Sequence, residues 1–183
     1  MSTHIPRFSV EPVPHCHPDI GLWLAILEDA RARLHFALRS VQESDLDAPP
    51  TVGINTIGTI LYHLALTDLN WVYDNLLQEP YPDDVADLFP YPLTDQHEQL
   101  SPVTGWSLPA YEQCLAVARA KVHEVFKPMR LDVFRAIVRR EEDDGTYEMT
   151  PEAVLRHLAQ HESEHCGEIQ LLIGSYRVNE TAR

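Results

Sequence analysis

The sequence predicts an all-α fold: a four-helix bundle with a long crossover between helices two and three and a small hairpin before helix four. Three observations carry this. Apolar residues recur at spacings of three and four over long proline-free stretches, one connection is crowded with prolines, and an Asp-Gly turn has strand-forming flanks. The 183 residues suffice for one well-buried core, and no composition break marks a second domain. A single domain is expected over 1–183, with an extended lead-in over 1–18 and a frayed tail over 175–183.

After a lead-in holding Pro6, Pro12 and Pro14, the first helix spans about Asp19 to Val41, with Ile20, Leu24, Leu27, Ala30, Leu34 and Leu38 as its stripe. A break over Asp45 to Gly53, containing Pro49 and Pro50, leads to Asn55 or Thr56. Either can cap a second helix that runs to about Leu77 and carries His63 near its middle. Pro80, Pro82, Pro90, Pro92 and Pro102 forbid a continuous helix over Glu79 to Gly105, which makes this segment the crossover, of a kind that often covers a site. Ser107 caps the third helix, whose stripe is Leu108, Tyr111, Leu115, Ala118 and Val122 and which ends before Pro128.

Beyond Leu131, the segments Val133 to Glu142 and Tyr147 to Met149 flank the turn Asp143-Asp144-Gly145-Thr146. A hairpin is expected there, although Val133 to Arg140 can also begin as a short helix. Thr150-Pro151-Glu152-Ala153 opens the last helix with a cap, a proline at the first helical position and an acid in the first turn. Its stripe reads Val154, Leu158, His161, His165, Ile169 and Leu172 or Ile173, and Gly174 and Asn179 bracket its frayed end. Two imidazoles thus stand where leucine is expected.

The formal net charge of −14 repels a phosphate backbone, and no Lys/Arg cluster with interleaved aromatics offsets it, so nucleic acid is not an expected partner. No apolar run approaches the roughly 20 residues of a membrane span. Met1 to Val10 lacks the basic-then-apolar pattern of a signal peptide, so a soluble, cytoplasmic protein is expected. Cys16, Cys114 and Cys166, without CxxC spacing, fit reduced thiols.

His157, His161 and His165 lie four residues apart on the last helix, so neighbouring imidazoles share a face about 6 Å apart along the axis. Two of them can share one ion, and a stronger site needs a further ligand, for which His63 is the candidate. A lone histidine on an apolar face is more often a hydrogen-bonded core residue, but several together compete for the same few acceptors unless an ion joins them. His157 stands about 12 Å from His165 and cannot share its ion; it is read as lining the site or supporting it.

Rival motifs overlap this one. His161-Glu162-Ser163-Glu164-His165 matches the H-E-x-x-H of metalloproteases, but no sheet precedes it, and Glu168 and Leu171 occupy the glycine and third-histidine positions of the longer form. Glu162 and His165 also form the Glu-x-x-His pair of di-iron bundles, yet the chain holds no second such pair.

With Thr59-Ile60-Leu61-Tyr62-His63-Leu64 in helix two and His161-Glu162-x-x-His165-x-Gly167-x-Ile169 in the final helix, the chain resembles the DinB/YfiT-like superfamily from about Ile20 to Ile173. The resemblance implies a divalent metal ion, nickel or zinc, held by His63, His161 and His165 with water completing the shell, and a homodimer. It also implies thiol-dependent transferase or isomerase chemistry, with a low-molecular-weight thiol as cofactor. The chain departs from the family where His165-Cys166-Gly167-Glu168 replaces His-Arg-Gly-Gln.

Three neutral imidazoles with an open position suit catalysis better than a closed structural site. The expected function is therefore a metal-dependent enzyme that activates a thiol or water toward a small-molecule substrate. The competing class is a non-catalytic metal-binding or stress-related interaction protein. Glu162 is the candidate catalytic base or orienting group, with a salt-bridged role as its alternative. Thr59, Thr67, Asn70 and Trp71 are candidate wall residues, for which ordinary packing is the plainer role. Asp68 lies too far round the helix to be assigned. Cys166, about 100° round from His165, is expected to pack on a neighbouring helix, and His15-Cys16-His17 to be a surface cluster.

Overall fold

The structure, a computed structural model, describes residues 9–50, 52–142 and 145–181. Proline at the start and an imidazole cap open α1 (Pro18–Leu38), where His17 Nδ1 accepts from the Asp19 amide at 3.2 Å. Ile20, Leu24, Leu27, Ala30, Leu34 and Leu38 are all buried, as the period requires. The helix ends three residues before Val41, and a short unpredicted helix α2 (Glu43–Leu46) follows, closed by a reciprocal capping box between Gln42 and Asp45.

Thr56 is the cap of α3 (Ile57–Leu69), its hydroxyl accepting from the Thr59 amide at 3.2 Å. The expected single helix to Leu77 changes character on the way. Asn70–Leu77 is π-helical, Gln78 closes it in the left-handed conformation, and the Glu79 amide bonds back to the Tyr73 carbonyl. Side chains supply part of the reason: Asn75 Nδ2 donates to the carbonyl of Asn70, five residues back, at 3.1 Å.

The proline-rich crossover contains only the short helix α4 (Asp83–Ala86) and an isolated bridge between Thr94 and Leu100. It is tied to α3 by polar side chains. Tyr62 donates to the Tyr91 carbonyl at 2.7 Å and accepts from its amide at 2.9 Å, while Thr59 Oγ1 accepts from the Val103 amide at 3.2 Å. Gly58 is required here, because a β-carbon would lie 2.5 Å from the hydroxyl of buried Tyr111 on α5 (Leu108–Phe126).

Both readings of the segment after Leu131 hold in part. Leu131–Phe134 forms the short helix α6, and β1 (Val138–Glu142) pairs antiparallel with β2 (Gly145–Met149). Of the expected turn, Asp143 and Asp144 lie outside the described residues. The hairpin grips the end of the π segment: Arg140 donates to the carbonyls of Asn75 and Leu76, and Tyr147 Oη lies 2.7 Å from Asn75 Oδ1.

The last helix, α7 (Pro151–Thr181), continues past Gly174, where the sequence suggests fraying. Glycine costs only about 1 kcal/mol inside a helix, less than the packing of Leu172, Ile173 and Tyr176 around it. Met1 to Phe8 of the lead-in lie outside the described residues, and 9–17 carry no regular element. The architecture is thus mainly helical with one small antiparallel hairpin. α1 packs along α7, and α3 packs against both α5 and α7. Among the described residues no helix is long and apolar enough to cross a membrane.

Candidate metal centre

Two helices supply the imidazoles. His63 lies on α3, and His161 and His165 lie one turn apart on α7. The ring of His63 is 4.9 Å from that of His161 and 5.1 Å from that of His165, centroid to centroid, and the α7 pair is separated by 4.6 Å. Beyond α3, in the π segment that continues it, Trp71 meets His157 at 4.3 Å, so this stretch and α7 run antiparallel across the site. Each histidine is partly buried.

The donor set fits a divalent ion. His63 Nε2 and His161 Nε2 are 3.0 Å apart, close to the roughly 2.9–3.3 Å between two nitrogens bound at about 2.0–2.1 Å to one centre. One ligand atom from each residue lies within 4.8 Å of the others, a span that small ring rotations close. Among the described residues, this is the one cluster of three or more histidine, cysteine or acidic side chains so gathered. Zinc and nickel both suit imidazole, and the geometry does not choose between them.

Protonation favours metal binding. Burial, reinforced by the neighbouring imidazoles, depresses His63 to about 3 and His161 to about 4, so both rings are neutral near pH 7. His165 is held by a second residue: its Nδ1 lies 2.8 Å from Glu168 Oε2, a contact that leaves Nε2 as its other ring nitrogen. The acid at this position, a departure from the family pattern, thus keeps contact with His165. His63 Nδ1 is buried and has no hydrogen-bond partner.

Glu162 does not face the imidazoles. Its carboxylate is 2 % exposed and is held by two guanidinium groups, accepting from Arg31 Nε and from Arg119 Nη2, the latter at 2.5 Å. Of the roles the sequence leaves open for Glu162, the salt-bridged one is present in the structure. Asp68, left unassigned from the sequence, completes the cluster at 3.0 Å from Arg119 and 3.4 Å from Arg31. Each of α1, α3, α5 and α7 contributes one buried charge to this quartet. Burial opposes the charge on Arg119, but Asp68 and Glu162 outweigh it and raise its pKa. From Arg119 the network reaches outward to Glu28 and His123, whose contact is 2.8 Å.

The remaining predicted residues divide. Thr59 supports the crossover, Thr67 is buried with no partner for its hydroxyl, and Asn70 donates to Asp74 at 2.7 Å. Trp71 is partly buried and lies against His157 at 4.3 Å with the rings tilted by 40°, and the His157 ring lies 5.6 Å from that of His161 and nearly parallel to it, at 26°. Cys166 is buried and lines a cavity of about 480 Å³ shared with Ala30, Arg33 and Phe36 of α1, as expected of a packing role. In His15-Cys16-His17, Cys16 Sγ donates to the Val13 carbonyl and His17 caps α1.

The quartet is what the sequence reading misses. Its signal is present nonetheless, since Arg31 and Arg119 fall on the stripes Leu27-Arg31-Leu34 and Leu115-Arg119-Val122, where a charge is out of place unless it is paired. A comparison with curated proteins gives no match. A profile of the DinB superfamily matches residues 26–169, a span that holds all three imidazoles, both carboxylates and both arginines of the quartet, and the crossover; the chain belongs to the DinB superfamily.

Proposed function

We propose that this protein is a four-helix-bundle metalloenzyme that holds one divalent ion, nickel or zinc, on His63, His161 and His165. Its reaction is of the thiol-dependent transferase, isomerase or hydrolase type on a small-molecule substrate. The observation that carries the reading is the meeting of three partly buried imidazoles from two helices, with one ligand atom from each within 4.8 Å of the others. A bound ion supplies Lewis acidity there, lowering the pKa of a thiol or water. The chain's own residues do the rest. Glu168 fixes the tautomer and aim of His165, burial keeps His63 and His161 unprotonated, and the quartet behind Glu162 sets the rotation of α7 against α3.

One observation favours the second reading, a non-catalytic metal-binding or stress-related interaction protein: Glu162 is locked in ion pairs and cannot serve as base. Metal analysis of the purified protein, followed by a thiol-consumption screen with several small thiols and electrophiles, separates the two. One equivalent of metal with turnover of at least one pair supports the enzyme. Metal without turnover across the panel supports the binding protein, and full metal content in His63→Ala removes α3 from the site.

A further inference from the structure

The metal triad is continued by a row of flat rings. His157 lies nearly parallel to His161, and Trp71 lies against His157 at 4.3 Å, so aromatic faces run without a break from a ligand imidazole to the indole. Both Trp71 and His157 are only half-buried. The π segment explains how Trp71 comes to be there: a π turn advances each residue by a smaller angle than an α turn, so the residue after Asn70 swings back toward the face carrying His63 and Thr67. The hairpin then secures the far end of that segment through Arg140. On the same face, one turn beyond His63, Thr67 keeps a buried hydroxyl with no hydrogen-bond partner.

Trp71 packs against the core on one side, and both it and His157 keep part of their surface exposed. Indole and imidazole faces left partly open beside a reactive centre recognise a flat, polarisable group by stacking, whereas a saturated chain gains less from them. A histidine four residues before His161 and a tryptophan eight residues after His63 are also spaced to extend the site along the groove between α7 and α3.

We propose that Trp71 and His157 form a stacking platform for an aromatic or conjugated group of the substrate, whose other end reaches the metal centre. This deepens the proposed function and rests on it. The platform sets specificity: compounds with an aryl group a short spacer away from the metal-seeking atom are preferred over aliphatic ones of the same head.

The test uses the full chain loaded with nickel, titrated calorimetrically with two hydroxamates, whose shared head binds metal ions. Acetohydroxamate has no ring; 3-phenylpropanohydroxamate carries phenyl on a two-carbon spacer. The wild type is expected to bind the phenyl compound about tenfold more tightly. Trp71→Ala is expected to abolish that preference and leave acetohydroxamate binding unchanged, and Trp71→Phe to retain most of it. If Trp71→Ala does not fold, His157→Ala removes the other half of the wall, with the same expected loss. A preference that survives loss of the wall, or that is missing in a wild type that binds acetohydroxamate, overturns the platform and leaves the metal centre standing. A nickel-loaded wild type that binds neither hydroxamate leaves the ion with no position open to a ligand, which overturns the enzyme reading and the platform with it.

Discussion

Replacing Glu162 by alanine separates its structural role from a catalytic one. The carboxylate is 2 % exposed and neutralises two guanidinium groups, Arg31 and Arg119, themselves 5 % exposed. Without it, two buried cations share the buried carboxylate of Asp68, at 3.4 and 3.0 Å, with Arg119 also 3.5 Å from the more exposed Glu28. Breaking a buried ion pair by removing one partner costs about 3–5 kcal/mol, because the surviving charge stays desolvated. A domain of ordinary stability has about 5–15 kcal/mol in total, so much of it would be lost. In urea unfolding of the metal-free protein, with a slope of about 2 kcal/mol/M, the midpoint should fall by about 2 M. Replacing all four charges together (Arg31→Met, Asp68→Leu, Arg119→Met, Glu162→Leu) should recover most of that loss, since a dry apolar core needs no compensation. A Glu162→Ala midpoint within about 0.5 M of wild type would refute the reasoning and return Glu162 to the list of candidate bases.

Other outcomes follow from the same geometry. Glu168→Ala should weaken metal binding about 10–100-fold by calorimetry with little change in folding stability, because it frees His165 Nδ1 and touches no core. Gly58→Ala should cost about 1–3 kcal/mol in thermal or urea unfolding by driving a methyl into Tyr111, whereas Gly167→Ala, which meets nothing within 4 Å, should be neutral or gain up to about 1 kcal/mol from helix propensity. For Glu28, burial alone raises the pKa, but the hydrogen bond to His123 and the charge of Arg119 overcome it and hold the carboxyl at about 2. A folded pKa below the ordinary 4.5 gives stability that is present above about 4.5 and lost as pH falls toward 2, so Glu28→Gln should flatten the urea midpoint against pH across that window.

The long helices and the triad are legible in the sequence because both are periodic. A stripe at three and four places Leu24, Leu27 and Leu34 inside α1, and the same arithmetic puts His161 and His165 on one face of α7. His63 is harder, since nothing local joins it to residues about a hundred positions away; the need for a third ligand points to it. Glu162 shows where local reasoning stops. Its position beside His161 suggests chemistry, and only tertiary packing reveals the arginines from α1 and α5 that claim it. The π turn at Asn70–Leu77 is illegible for a related reason: it depends on Asn75 bonding back to Asn70 and on Arg140 of a distant hairpin taking up freed carbonyls. Conversely, the proline count alone excludes a helix through the crossover, and the short α4 fits between its prolines without contradicting that rule.

The central claim is one ion shared by two helices. Crystals of the purified, metal-loaded protein, measured at the absorption edge of the metal found in it, test this most directly. The account predicts a single strong anomalous peak about 2.0–2.1 Å from ring nitrogens of His63, His161 and His165. A peak bound by the α7 pair alone, a peak at His15 and His17, or no peak in protein shown to contain metal would contradict it.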